Sequence, residues 1–319
     1  MANDLLIKAA TWQYPEQIPI GFGFLPAVFI KYGDKVKKII AKYEDMLGNW
    51  WQNYDPYAHL SESYRKGGYT DRWGCVWSNE VDGMAAIVTK HPVPTREDVH
   101  TMKVPDGDDG LPHGFMYLRL LDLRGFEEAM VDFFEEPPEL KMLIDKVLEY
   151  NIGQTKLLLK NNKEPMLYFG DDLGMQKGLA IGPEKWRKYM KPCFAAIYKL
   201  CKDEGRLVYM HTDGCIHEIM DDLVECGVDM INPQYRANGL DNLERVCKGK
   251  IPINLDLDRQ LFPFGTPVEL YRHVRECVTR MYLPEGGLGL SIEIGPDYPL
   301  ENIDALCDAA NEFRFYKGN

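Results

Sequence analysis

No run of about 18 apolar residues occurs in this chain, so no segment is expected to span a bilayer as a helix. The start, MANDLLIKAATWQYPEQ, lacks a basic stretch followed by an apolar one, so export is not expected and the cytoplasm is the expected location. No basic run interleaved with aromatics appears either. A formal net charge of −12 opposes attraction to phosphate backbones and anionic membranes, so nucleic acid is not an expected partner. The eight cysteines, at 75, 193, 201, 215, 226, 247, 277 and 307, form no CxxC pair and several sit on apolar helical faces. That is the usage of reduced core thiols, not of a structural zinc knuckle. Neither GxGxxG nor GxxxxGK[ST] occurs where a strand meets a helix, and the glycines at 21 and 23 fit no phosphate-binding fingerprint, so no nucleotide cofactor is implied.

What is present is enough apolar material for a large core: 45% hydrophobic residues over 319 positions, with 27% charged. From about Met116 onward, apolar runs of strand length alternate with helical patterns, the order that yields a parallel sheet with helices outside it. The strand candidates are FMYLRLL at 115–121, MLYFG at 166–170, RLVYM at 206–210, DMIN at 229–232, PINLDL at 252–257 and LGLSIE at 288–293. PIGFGFL at 19–25 is a further candidate. The expected fold is therefore α/β, a (β/α)8 TIM barrel, and closure at about eight strands requires at least one more before Gly114. Gly182 and Pro183 open a helix that Gly205 closes, with a kink expected at Pro192. A second helix is expected from Ile216 to Cys226. Residues 1–110 differ in texture: a charged helix, KVKKIIAKYEDMLGNWW, then RWGCVWSN and MAAIVTKHPV, which read as two strands joined by a tight turn. They are expected to form an N-terminal elaboration covering the mouth of a main barrel at 111–319. No linker-like segment separates the two, so 1–319 reads as one domain.

The carboxyl ends of barrel strands open onto one face, and ionisable groups there are the first candidates for chemistry. YFGDDLG ends a strand in Asp171 and Asp172, of which one should point into the mouth while its neighbour points away; either one is also suited to capping a turn. His211 ends the next strand and begins HTDG, where Asp213 is placed to hydrogen-bond the imidazole or to cap the helix from Ile216. Glu293 ends LGLSIE, and a carboxylate on such an apolar strand needs a metal or cation beside it. Asp256 and Asp258 face one side of their strand, where Arg259 or Arg236 can satisfy them. Gln176, Gln234 and Tyr235 are candidate ligand-binding groups or ordinary loop polarity. Tryptophans 50, 51, 73 and 77 with tyrosines 54, 57, 64 and 69 are dense enough to line a pocket for an aromatic ligand, or to pack an irregular cover.

The order of DRWGCVW, KHPVPTREDV, YFGDDLGMQKGLAIGPEKWRKYMKP, HTDGCIHEIMDDLVECGVDMINPQ and GPDYPLENIDAL resembles the uroporphyrinogen decarboxylase superfamily, from Trp73 onward. The resemblance implies a (β/α)8 barrel with its site at the carboxyl face. The decarboxylases themselves carry an arginine-rich RQAGR-like stretch, and nothing like it precedes Trp50, which disfavours porphyrinogen decarboxylation. The other large branch comprises corrinoid-dependent methyltransferases, commonly zinc enzymes, which pass a methyl group to the cobalt of a partner corrinoid protein. Members acting on coenzyme M take zinc ligands from HxC and a later Cys. This chain has HTD and SIEIG there, which suits zinc acting on an oxygen better than on a thiolate. The chain is similar to the methyltransferase I components of bacterial aryl-ether O-demethylases. That likeness implies methyl transfer from an aryl methyl ether to a cobalamin-carrying partner, with His211 and Glu293 as zinc ligands and Asp171 or Asp172 orienting substrate or protonating the leaving oxygen. A tetrapyrrole decarboxylase, or a non-catalytic barrel that holds a corrinoid or an aromatic ligand, are the rival readings.

Overall fold

Strands form in this chain where apolar residues run almost without interruption, because a parallel strand is covered on both faces. In the computed structural model, which describes residues 2–58, 60–107 and 110–318, these runs become β1 (Ile20–Phe24), β5 (Met166–Gly170), β6 (Leu207–Thr212), β7 (Met230–Pro233), β8 (Ile253–Asp256) and β9 (Leu288–Ile294). Three short strands, β2 (Gly67–Thr70), β3 (Val76–Asn79) and β4 (Ile87–Lys90), lie between β1 and β5 in sequence. β3 and β4 match the two expected in the N-terminal region, and the segment joining them turns through a Met84 N–H to Val81 O hydrogen bond.

The chain divides into two compact units, each made of non-contiguous segments: residues 1–69, 78–87 and 234–319 in the first, 70–77 and 88–233 in the second. In the first unit β9 pairs in parallel with β1 on one side and β8 on the other. Leu288, Leu290, Ile292 and Ile294 of β9 are buried, and the helices Pro267–Met281 and Leu300–Phe313 bring Val274, Cys277, Val278, Ile303, Leu306 and Phe313 into the core of this unit. The first of these helices opens with a reciprocal capping box, in which Thr266 accepts from the Glu269 N–H and the Glu269 carboxylate accepts from the Thr266 N–H. In the second unit β6 lies between β5 and β7, again in parallel. Long helices at Pro138–Asn161 and Lys191–Asp203 pack on one another in this unit. The arrangement within both units is α/β.

One expected strand is a helix. The segment FMYLRLL is not extended: Tyr117–Arg124 is α-helical, with Tyr117, Leu120, Leu123 and Arg124 buried at helical spacing and Gly125 ending it at φ 85°. A short apolar run carries both periodicities, and here the helix is held at its N-terminus by a group about fifty residues away, the Asp171 carboxylate. The helix expected from Ile216 also begins later, at Met220, and no side chain caps it, so Asp213 is not its cap. Between Gly182 and Asp203 the helix loosens to a π-turn at Trp186–Met190, two residues before Pro192. All eight cysteines are buried and free. Among the described residues no helix is long and apolar enough to cross a membrane.

Candidate metal centre

The acidic doublet that follows β5 splits by the alternation of an extended chain. Asp171 turns inward and is wholly buried, its two oxygens accepting the N–H groups of Met116 (2.9 Å), Tyr117 (2.6 Å) and Leu118 (2.9 Å). Burial pushes this carboxyl up to about 6, against three donors that favour its ionised form. Asp172 turns the other way. Its Oδ1 accepts the Asp213 N–H at 3.0 Å and lies 3.1 Å from His113 Nε2.

His113 approaches because residue 170 has no side chain. A Cβ on Gly170 would lie 2.4 Å from His113 Nδ1, so any larger residue there displaces the ring. The Gly114 N–H donates to the Gly170 carbonyl at 2.8 Å and fixes the turn behind the histidine. Burial works to lower the His113 pKa, but the Asp172 carboxylate outweighs it and the pKa is raised.

His211 stands beside Gly170 on one side and Asn232 on the other, at matching register of β5, β6 and β7. Its Nδ1 is 2.7 Å from Asn232 Oδ1, which requires that nitrogen to carry the proton. Nε2 then faces Asp213 Oδ1 at 3.3 Å. Burial opposes the charged imidazolium, but Asp213, Asn232 and Asp172 together raise the pKa to about 9. The rings of His113 and His211 are 5.6 Å apart, and one ligand atom from each of His113, Asp172 and His211 falls within 4.8 Å of the others.

Two imidazoles and a carboxylate are a three-ligand set that divalent zinc accepts in catalytic sites, leaving a position for water or substrate. The 3.1 Å between His113 Nε2 and Asp172 Oδ1 is already near the ligand spacing of a tetrahedral zinc, about 3.4 Å for bonds of about 2.1 Å. The donor set therefore fits the metal.

The sequence profile of uroporphyrinogen decarboxylase (URO-D) matches residues 120–313, more than half of the chain. The chain belongs to the URO-D family. Among solved structures, a methyltransferase from Methanosarcina mazei has a similar fold, with a TM-score of 0.64 at 15% sequence identity and 98% of each chain covered. The dihydropteroate synthase of Xanthomonas albilineans aligns over 47% of this chain and 54% of its own, with a TM-score of 0.32 and 18% identity. No curated protein sequence matches.

The remaining expected site residues of this URO-D family chain fall into both units. Asp213, in the second unit, is the carboxylate beside His211, and Gln176 lies on an exposed loop of that unit. Glu293 belongs to the first unit, where Arg259 Nη1 donates to its Oε1 at 2.8 Å, so its partner is a cation of its own unit. The same guanidinium reaches Asp256 at 2.9 Å, and Arg236 grips Asp258 with two bonds of 2.7 and 2.6 Å, the salt-bridge reading of those two acids. Gln234, also in the first unit, bridges to Asp256, and its carbonyl accepts from the Asn238 side chain. Tyr235 packs edge-on to His273 at 4.5 Å. His113 and Asn232 were not singled out from the sequence. The only trace of His113 was a histidine before a glycine, and the expectation of a strand at 115–121 hid its setting. Asn232 ends a run that reads as plain strand core.

Proposed function

We propose that this protein is a corrinoid-dependent methyltransferase that takes the methyl group of an aryl methyl ether and delivers it to the cob(I)alamin of a separate corrinoid protein. The observation that carries the reading is the convergence of His113, Asp172 and His211 within 4.8 Å, in a family whose methyl-transferring branch uses zinc. Absence of an RQAGR-like stretch ahead of Trp50 argues against the decarboxylases of the same family. A donor set without thiolate leaves zinc the stronger Lewis acid towards an ether oxygen, which is the chemistry the metal supplies when bound.

In this scheme the methyl C–O bond breaks with its electron pair going to the aryl oxygen, and the new Co–C bond uses the electron pair of cob(I)alamin. The phenolate then takes its proton from water. His113, Asp172 and His211 would hold the metal, His211 through Nε2, while Asn232 keeps the His211 proton on Nδ1 and so orients the ring; Asp213, 3.3 Å from Nε2, adds a carboxylate beside the metal-facing nitrogen. Asp171, saturated by three N–H groups, acts by holding the chain that carries His113. The reading carries with it a closed eight-stranded barrel over residues 1–319, with 1–110 as its N-terminal elaboration, and a cytoplasmic location beside the corrinoid partner. Gln176, Gln234 and Tyr235 remain candidates for contacts to substrate.

The test is spectroscopic. Zinc-loaded protein mixed with guaiacol and a cob(I)alamin-loaded corrinoid protein should convert the cob(I)alamin spectrum to that of methylcobalamin. No change with any of a panel of methoxyarenes, thiols and methylamines removes the methyltransferase reading.

A further inference from the structure

The first unit contains a cavity of about 350 Å³, within the usual range for small-ligand sites, whose lining includes Gly23, Phe24, Pro26, Leu60, Tyr64 and Glu293. It lies at the carboxyl ends of β1 and β9, which are adjacent and in register from Ile20–Leu290 to Phe24–Ile294, the end at which parallel α/β sheets bind ligands. Its apolar wall is backed by rings: Phe24 packs on Phe22, Phe29 and Trp50, at centroid distances of 5.9, 5.9 and 6.3 Å. A flat ring is the ligand surface that such a wall best receives.

The polar groups are few and of one kind. Arg259 is shared between Asp256 at 2.9 Å and Glu293 at 2.8 Å, so one cation meets two carboxylates and the balance is negative. Among the described residues the second Glu293 oxygen, Oε2, has no hydrogen-bond partner, and neither has the Tyr64 hydroxyl. Burial and the Glu293 charge raise the Tyr64 pKa, so its phenol stays an O–H donor. The cavity thus presents an anionic acceptor and a neutral donor beside an aromatic wall. It repels an anion and leaves a ligand without a donor nothing to offer Glu293.

We propose that this cavity is a binding site for small hydroxyarenes, with the ring on Phe24, Pro26 and Leu60, a ligand hydroxyl donating to Glu293 and a second ligand oxygen accepting from Tyr64. The inference bears on the methyl-transfer reading, because the phenol released from an aryl ether has this chemistry, but the binding itself depends on neither metal nor corrinoid. Gly23 offers a way to close the cavity: a Cβ there meets no atom within 4 Å and the residue is not in the left-handed region, so Gly23→Leu fills open space without backbone strain.

The experiment is calorimetric titration of the full chain with catechol, guaiacol, 1,2-dimethoxybenzene and benzoate. Catechol and guaiacol should bind, and 1,2-dimethoxybenzene and benzoate should bind at least tenfold more weakly. Glu293→Gln and Gly23→Leu, each with an unchanged far-ultraviolet circular dichroism spectrum, should each weaken catechol at least tenfold. No heat with catechol at millimolar concentration, 1,2-dimethoxybenzene binding as tightly as catechol, or undiminished catechol affinity in Gly23→Leu overturns the proposal. Because no methyl transfer is measured, a failure here leaves the methylcobalamin assay to decide the other reading.

Discussion

Gly170 illustrates how much one residue decides at this site. It is a glycine because the His113 ring lies where a side chain would stand, with 2.4 Å from Nδ1 to the absent Cβ. The His113 side chain is about half exposed, so the fold can let the ring swing away, while the metal cluster cannot. Gly170→Ala is therefore expected to weaken zinc binding by about tenfold or more, the usual cost of disturbing a ligand's support, while costing no more than about 1.5 kcal/mol of stability. Competition titration with a chromogenic chelator measures the first and chemical denaturation the second. Equal zinc affinity in the variant would show that His113 does not need its observed position. The doublet beside it shows the same dependence on direction. Asp171 and Asp172 have the same side chain and adjacent positions, and one is spent on backbone N–H groups while the other meets an imidazole. The sequence showed two carboxylates at a strand end and their opposed directions; it did not show which neighbour each would find.

At the scale of elements, Asp171 acts across the chain as the N-terminal anchor of the helix Tyr117–Arg124. An amide in its place keeps the shape but presents its own N–H to three backbone N–H donors and removes the charge that favours them. Asp171→Asn should cost about 2–4 kcal/mol, the range for a charged, buried hydrogen-bond acceptor, and is to be read from urea unfolding. A loss below about 1 kcal/mol would mean that the helix holds without it. The same contact explains which elements were legible. β5, β6, β7, β8 and β9 follow from their uninterrupted apolar runs, and their ends coincide with the expected ones to within a residue or two. The helix at 117–124 reads as a strand because FMYLRLL is too short to separate the two periodicities, and the carboxylate that holds its N-terminus, Asp171, is distant in the chain. His113 was lost with it, since a histidine ahead of a strand reads as a loop residue. The irregular turn at Trp186–Met190, two residues before Pro192, has a local cause, since proline cannot donate to the preceding turn.

For the molecule as a whole, His273 sets a pH dependence separate from the metal centre. It is 6% exposed, and its Nε2 accepts the Asp258 N–H at 3.1 Å, which only the neutral ring can do. Burial pushes its pKa down from 6.5 to about 4. The folded state therefore takes up this proton later than the unfolded state does. Its contribution is complete above pH 6.5 and is lost as the pH falls from 6.5 towards 4, to a total of about 3 kcal/mol. His273→Gln should flatten the acid limb of the stability curve by about that amount; parallel curves for variant and parent between pH 7 and 4 would exclude this histidine as the cause. Membership of the URO-D family was legible from the order of motifs, and the profile match over residues 120–313 states it independently. Of the cluster, the sequence offers His211 as a metal ligand and Asp172 as an acid that orients or protonates substrate, whereas His113 comes from the three-dimensional arrangement; Glu293, read as needing a metal or a cation, meets Arg259. The central claim is that His113, Asp172 and His211 together hold one metal ion. Its most direct measurement is the zinc content and zinc affinity of the purified chain beside those of His113→Ala, with His91→Ala as a control outside the cluster. If these three residues do so, the parent and the control carry about one zinc per chain, and His113→Ala binds zinc at least tenfold more weakly. Equal zinc content and affinity in all three proteins would contradict it.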